Sequence, residues 1–150
     1  MALLRDGRRC SGLALERFRF GSGAGRCTYA ISLLRVDDDG ALAPFVTVGD
    51  NRATVDELRQ LLRDLDGLST GDHRAVFYET LDAGFALQME ADDADGLKID
   101  AWIDLVRANA ASRMLAARGE PQAGLRFRTT LADLQRFWAE VQDELDRMYS

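Results

Sequence analysis

The side chains best able to do chemistry are crowded into two acidic clusters, "DDDG" at 37–40 and "DDADG" at 92–96. The only histidine is His73, and the two cysteines are Cys10 and Cys27. Carboxylates ahead of a glycine are the raw material of a calcium loop, so spacing decides first. An EF-hand loop needs oxygen ligands at positions 1, 3 and 5, glycine at 6 and a bidentate glutamate at 12. With Gly96 at position 6, the first ligand falls on Ala91 and the last on Trp102; with Gly40 there, they fall on Arg35 and Val46. Both clusters therefore read as hairpin turns, in which Asp tolerates the turn geometry and Gly supplies a positive φ.

Covalent and metal chemistry fare no better. A Cys10–His73 nucleophile–base pair has no local spacing to support it, and His73 beside the turn "STGD" reads as a solvent-exposed loop residue. Two cysteines are too few for a disulfide framework and are not spaced as a metal knuckle, so they read as reduced thiols. No cluster of His, Cys or helical Glu offers a metal site. The reading is of a protein that is not an enzyme, with no catalytic residues, no metal and no cofactor.

At 150 residues, with 47% hydrophobic and 29% charged side chains and two prolines, the chain suits one folded domain, 1–150, rather than a disordered one. The opening "MALLRDGRRC" has no apolar signal region, and no apolar run approaches the roughly 20 residues of a membrane helix. A cytoplasmic chain without membrane contact is expected. Residues 1–30 carry six arginines against Asp6 and Glu16, a charge of +4; the rest carries 13 bases and 23 acids, a charge of −10, giving the net −6. The acidic remainder repels nucleic acid and would steer a basic partner. The basic start lacks interleaved aromatics and is too short for a nucleic-acid footprint.

Periodicity supplies the elements. "GLALERFRF" reads as an early strand, and the Gly-rich "GSGAG" after it as a connector; a strand follows it, so it is no phosphate loop. From Cys27 to Leu33 apolar residues alternate, and "ALAPFVTVG" returns after "DDDG". Pairing Val36 with Ala41 places Ile31 opposite Val46 and Tyr29 opposite Val48. Pro44, lacking an N–H, marks an edge strand or a bulge. A helix over 54–66 follows, with Thr54 and Glu57 as a capping box, Val55, Leu58, Leu61, Leu62 and Leu65 as its stripe, and an end near Gly67. "HRAVFYETL", "GFALQMEA" and "LKIDAWIDLV" read as strands, 107–124 as a partly helical connection, and "LRFRT" as a short last strand. A second helix spans 130–148, capped by Thr130 and Asp133, with Leu131, Leu134, Phe137, Trp138, Val141, Leu145 and Met148 as its stripe. An offset of 76 lays it over the first helix, which admits a duplicated strand–helix unit. Runs of strands followed by single helices give an α+β domain: an antiparallel sheet of about six to eight strands with two amphipathic helices packed on it.

Treating "ADDADGL" as a turn sets Ala91 opposite Leu97, so that Met89 meets Ile99, Leu87 meets Ala101 and Phe85 meets Ile103 on an apolar face. On the other face Glu90 meets Lys98, Gln88 meets Asp100, and Trp102 opposes Ala86 with Asp100 and Asp104 on either side. Tryptophan is favoured as an interface anchor, and flanking acids select a basic partner. Asp100, Trp102 and Asp104, with Glu79 and Glu90, are the candidate partner-binding residues. The competing reading lays a helix over this face and makes Trp102 core.

The order of elements carries a resemblance. "YAISLLRVDDDGALAPFVTV" leads to the capped "TVDELRQLLRDLDGL"; "FYETLDAGFALQME" follows, and "LRFRTTLADLQRFWAEVQDEL" closes the chain. Over residues 26 to 145 this resembles the WapI-type immunity proteins of polymorphic toxin systems and related small actinobacterial domains of unknown function, with Phe77, Glu79, Phe85 and Leu87 in the places of an acidic-aromatic pattern. The basic N-terminus, "GSGAG" and the 107–123 connection depart from it. The resemblance implies a cytoplasmic bacterial inhibitor, without enzymatic activity or cofactor, that binds and occludes the C-terminal domain of a cognate toxin such as a basic nuclease. A ligand-binding or scaffolding domain unrelated to toxins is the alternative.

Overall fold

Four strands and then a helix form a unit that occurs twice along the chain. The first unit runs β1 (Ala2–Arg5), β2 (Ser11–Phe20), β3 (Arg26–Val36), β4 (Leu42–Thr54) and α1 (Val55–Thr70). The second runs β5 (Ala75–Glu79), β6 (Phe85–Ala91), β7 (Gly96–Asp104), β8 (Gln122–Thr130) and α2 (Leu131–Met148). The computed structural model describes residues 1–21, 23–80, 85–92, 96–104 and 122–149. The expected partly helical connection falls mainly on 107–121, and the tip of the "DDADG" turn on 93–95; both lie outside the described residues.

The fold is α+β, and the eight strands among the described residues divide into two antiparallel sheets, each with its strands in chain order. The sheets meet where the Gly7 N–H donates to the Arg128 carbonyl (2.9 Å) and the Thr129 hydroxyl donates to the Arg5 carbonyl (2.6 Å). The helices pack against each other and cross between halves: α2 lies on β1 and β2, and α1 on β4 and β5. One apolar core results, shared by inward residues of both sheets and both helices. No helix among the described residues is long and apolar enough to cross a membrane.

Both helices start as their sequences dictate. The Thr54 side chain accepts from the Glu57 N–H, and Glu57 accepts in return from the Thr54 N–H, satisfying two donors that a helix start leaves open. Thr130 accepts from the Asp133 N–H and donates to its carboxylate. The first helix does not end at Gly67. It runs on to Thr70 and stops at Gly71, which adopts φ 86°. Gly67 is needed inside the helix because a Cβ there would lie 2.2 Å from the His73 ring, whose backbone N–H donates to the Gly67 carbonyl. His73 is exposed, as a loop residue should be, but its ring edge fills this notch. In α2, Leu134, Phe137, Val141 and Leu145 are buried, whereas Leu131 is 36% exposed and leaves the expected stripe. The Trp138 indole donates to the Leu62 carbonyl (3.0 Å), and these residues are separated by 76, the interval between the N-caps Thr54 and Thr130. The two helices thus touch at counterpart positions.

Register separates the hairpins. Every β6–β7 pair expected from sequence is present, from Ala91–Leu97 to Phe85–Ile103. In β3–β4 the expected pairing is corrected: Val36 faces Leu42, Ile31 faces Val48 and Tyr29 faces Asn51. The turn is one residue longer, closed by the Asp37 N–H on the Ala41 carbonyl, and register shifts occur beside Pro44 and again between Ile31 and Tyr29. Strand β4 is also an edge, so proline sits where its missing donor costs least. Strand β1 is additional to the elements that periodicity supplies, and β8 extends well beyond "LRFRT".

Candidate functional site

Alternation places Val76, Tyr78, Phe85, Leu87, Met89, Leu97, Ile99, Ala101 and Ile103 inward, all buried. The opposite side of the second sheet is therefore set by the intervening residues, and registers order them into cross-strand rows. Ala75, Glu90, Lys98 and Arg128 form one row; Phe77, Gln88, Asp100 and Arg126 the next; Glu79, Ala86, Trp102 and Gly124 the third. Asp104 follows Trp102 along β7 on the same side. The five residues expected at a partner-binding surface thus share one face, at the centre and flanks of a single sheet.

Neither α1 nor α2 makes Trp102 core. The helices contribute their buried residues to the inward side, and Trp102 is half-buried without joining that cluster. Its indole lies over Gly124, where an added Cβ would sit 3.1 Å from Trp102 Cδ1, so the glycine provides the shallow seat that the ring occupies. Phe77, one row away, is 59% exposed. Sequence reasoning left Phe77 out of the site, although its parity gave the signal: it shares the outward phase of Ala75 and Glu79 while Val76 and Tyr78 point inward.

The charges are less one-sided than the acid–indole–acid stripe suggested. Asp100 is held by Arg126, with Nε and Oδ1 2.5 Å apart, and Asp92 is held by Arg128. Glu90 stands opposite Lys98. Among the described residues five carboxylates (Glu79, Glu90, Asp92, Asp100, Asp104) meet three cations (Lys98, Arg126, Arg128), an acidic surplus of two, with the acids on β5 to β7 and at the end of β6 and the arginines on β8. Glu79 and Glu90 are exposed; Asp100 and Asp104 are half-buried.

The remaining reactive groups lie apart from this face. Cys10 ends the β1–β2 turn, where its N–H donates to Asp6 Oδ1 (2.7 Å) and its thiol to the Arg8 carbonyl (3.4 Å). Cys27 and Tyr29 are buried on β3. Burial, reinforced by the nearby Glu57 carboxylate, pushes the Cys27 thiol up to about 11. Burial also raises the Tyr29 phenol well above its usual range, and the Tyr78 hydroxyl, 2.8 Å away, adds to the rise. The Asn51 carboxamide opposite it slightly favours the phenolate, yet neither its Nδ2 nor its Oδ1 attains full hydrogen-bond geometry with any group. Among the described residues no group of three or more His, Cys, Asp or Glu is arranged to hold a metal ion. Comparison with protein families, with curated proteins and with solved structures finds no match.

Proposed function

We propose that the protein is a cytoplasmic immunity protein that binds and occludes a cognate toxin domain, using the outward face of β5 to β8 as the contact surface. The observation that carries this reading is the open four-stranded face with Phe77 exposed and Trp102 seated over Gly124 between Asp100 and Asp104. A rigid sheet presents these aromatics at little entropic cost, because the strands are ordered before the partner arrives. Exposed aromatics supply the anchoring area. The surplus of acid on β5 to β7 steers a basic partner such as a nuclease, while Arg126 and Arg128 give the face a second sign that fixes orientation.

The test is co-purification with the protein encoded immediately upstream, followed by growth rescue. Trp102→Ala and Phe77→Ala are each expected to weaken association by about 2 kcal/mol if these rings are anchors, with little change in thermal stability because neither belongs to the core. Association that resists a rise in salt would remove the steering role of Glu79, Glu90 and Asp104. Failure of rescue despite full expression would defeat the immunity assignment.

The second reading is a ligand-binding or scaffolding domain. A groove of about 560 Å³ between the helices favours it, lined by Leu62, Trp138 and Tyr149 with Arg59 and Arg63 at its edge. Loss of partner binding on substituting groove residues, with the sheet variants inert, would move the function there.

A further inference from the structure

The two halves differ at two pairs of matching positions in a way that replaces a carboxylate with positive charge. The Gly21 N–H donates to the Arg26 carbonyl (2.9 Å), just as the Asp92 N–H donates to the Gly96 carbonyl (3.0 Å). Arg26 lies opposite the N-cap Thr54, and Gly96 opposite the N-cap Thr130. Two residues before these caps stand Arg52, facing Thr28, and Arg128, facing Lys98. Gly21 and Asp92 are therefore counterparts, as are Arg26 and Gly96, and Arg52 and Arg128.

In the second half the site is self-contained: the Asp92 carboxylate holds Arg128 and accepts the Gly96 N–H (3.1 Å). In the first half glycine replaces that aspartate, and arginine replaces the glycine. Arg52 is left without the carboxylate its counterpart has, and a second guanidinium, Arg26, is added beside it. Arg19 flanks Thr28 from the other side in the row Arg19–Thr28–Arg52. Among the described residues Arg19, Arg26 and Arg52 make no ion pair, although the chain as a whole carries −6. Gly21, Arg26, Thr28 and Arg52 line a hollow of about 260 Å³ whose one acid is Asp50. Two guanidinium groups less one carboxylate leave the lining a charge of +1, and Arg19 stands opposite Thr28 on the neighbouring strand.

We propose that this hollow binds a dianionic phosphate group, which takes the place filled in the second half by the Asp92 carboxylate. Planar guanidinium forks match phosphate oxygens in paired hydrogen bonds, and the Thr28 hydroxyl adds a donor. Three unpartnered guanidiniums on adjacent strands repel one another, and a dianion relieves that repulsion. The site lies on the first sheet and does not depend on the function proposed for the second.

The test uses the full chain, titrated with inorganic phosphate and with phenyl phosphate at constant ionic strength against chloride, and read from amide chemical shifts. Shifts confined to Gly21, Arg26–Thr28 and Asp50–Ala53 are expected. Binding of both probes assigns the site to phosphate esters, and binding of inorganic phosphate alone to the free ion; either supports the proposal. Gly21→Asp rebuilds the aspartate of the second half at a position where a Cβ meets only ordinary contacts of 3.5 Å and beyond. It should weaken phosphate at least tenfold with the fold intact, and Arg52→Gln should do the same without adding a charge. Arg126→Gln, on the other sheet, should leave binding unchanged. The proposal is overturned if phosphate shifts no more than chloride, if Gly21→Asp and Arg52→Gln bind as the parent does, or if Arg126→Gln loses as much as they do.

Discussion

The two halves share topology, a threonine N-cap and the pairing of their third and fourth strands next to that cap, but not the character of their residues. Where the first half buries Cys27, Tyr29 and Asn51, the same registers in the second hold Leu97, Ile99 and Phe127. On the side facing away from the shared core the first sheet carries small residues such as Ala14, Ala30 and Ser32, all buried, and at one end arginines that make no ion pair among the described residues; the second carries Phe77, Trp102 and arginines that are paired. What the fold must keep is the set of features that end strands and start helices, and the helix residues that meet where the two helices pack. Side chains beyond those constraints are free to take up separate tasks, which is why each half offers a different surface.

The comparison breaks most forcefully if the halves prove separable. Leu61 and Phe137 are counterparts, both buried, in helices that pack on each other and on the opposite sheet. Phe137→Ala is expected to destabilise the protein by about 3–5 kcal/mol and Leu61→Ala by about 2–5 kcal/mol. Because one core joins both halves, each loss should shift a single cooperative unfolding transition monitored by near-UV and far-UV circular dichroism. Two resolved transitions, each moved by only one substitution, would show halves that fold alone.

Much of this architecture was legible in the sequence wherever alternation runs unbroken. In β6–β7 inward and outward residues keep strict phase, so every pair and the outward phase of Trp102 followed from one turn assignment. In β4 the inward phase passes from Val46 and Val48 to Asn51 and Ala53 across Gly49 and Asp50, and a one-residue slip inverts what faces the core. No local pattern announces such a change. Strand β1 is too short for alternation to register, and the division into two sheets depends on contacts between distant segments. The site was half visible for the same reason: Asp100 and Trp102 are neighbours along one strand, whereas Arg126 and Gly124 reach them only through a pairing across 26 and 22 residues.

A smaller effect, confined to the first half, separates the two interiors at alkaline pH. The folded protein holds the Cys27 thiol proton up to about 11, raised from 9.0, chiefly through burial. The unfolded chain releases it first, so the stability linked to this group is complete below pH 9 and is lost as pH climbs towards about 11. The raised Tyr29 phenol acts in the same direction at higher pH. Urea midpoints should therefore fall between pH 9 and 11, and Cys27→Leu, which installs the residue of the second half, should flatten that fall. An unchanged slope in the variant would mean that the thiol is not the group responsible.

The smallest change concerns how much of the acidic face its own arginines neutralise. The Asp100–Arg126 pair is short, but the arginine side chain is 70% exposed, so solvent and salt screen it. Its contribution to folding should be about 0.2–1 kcal/mol, measured by a double-mutant cycle of Asp100→Asn and Arg126→Gln. Association with a basic partner should respond in opposite senses to the two substitutions: Asp100→Asn removes an attracting charge and slows encounter, whereas Arg126→Gln releases the carboxylate and speeds it at low salt. If both variants instead weaken association equally, the bonded pair itself, as a rigid and oriented unit beside Trp102, is what the partner reads.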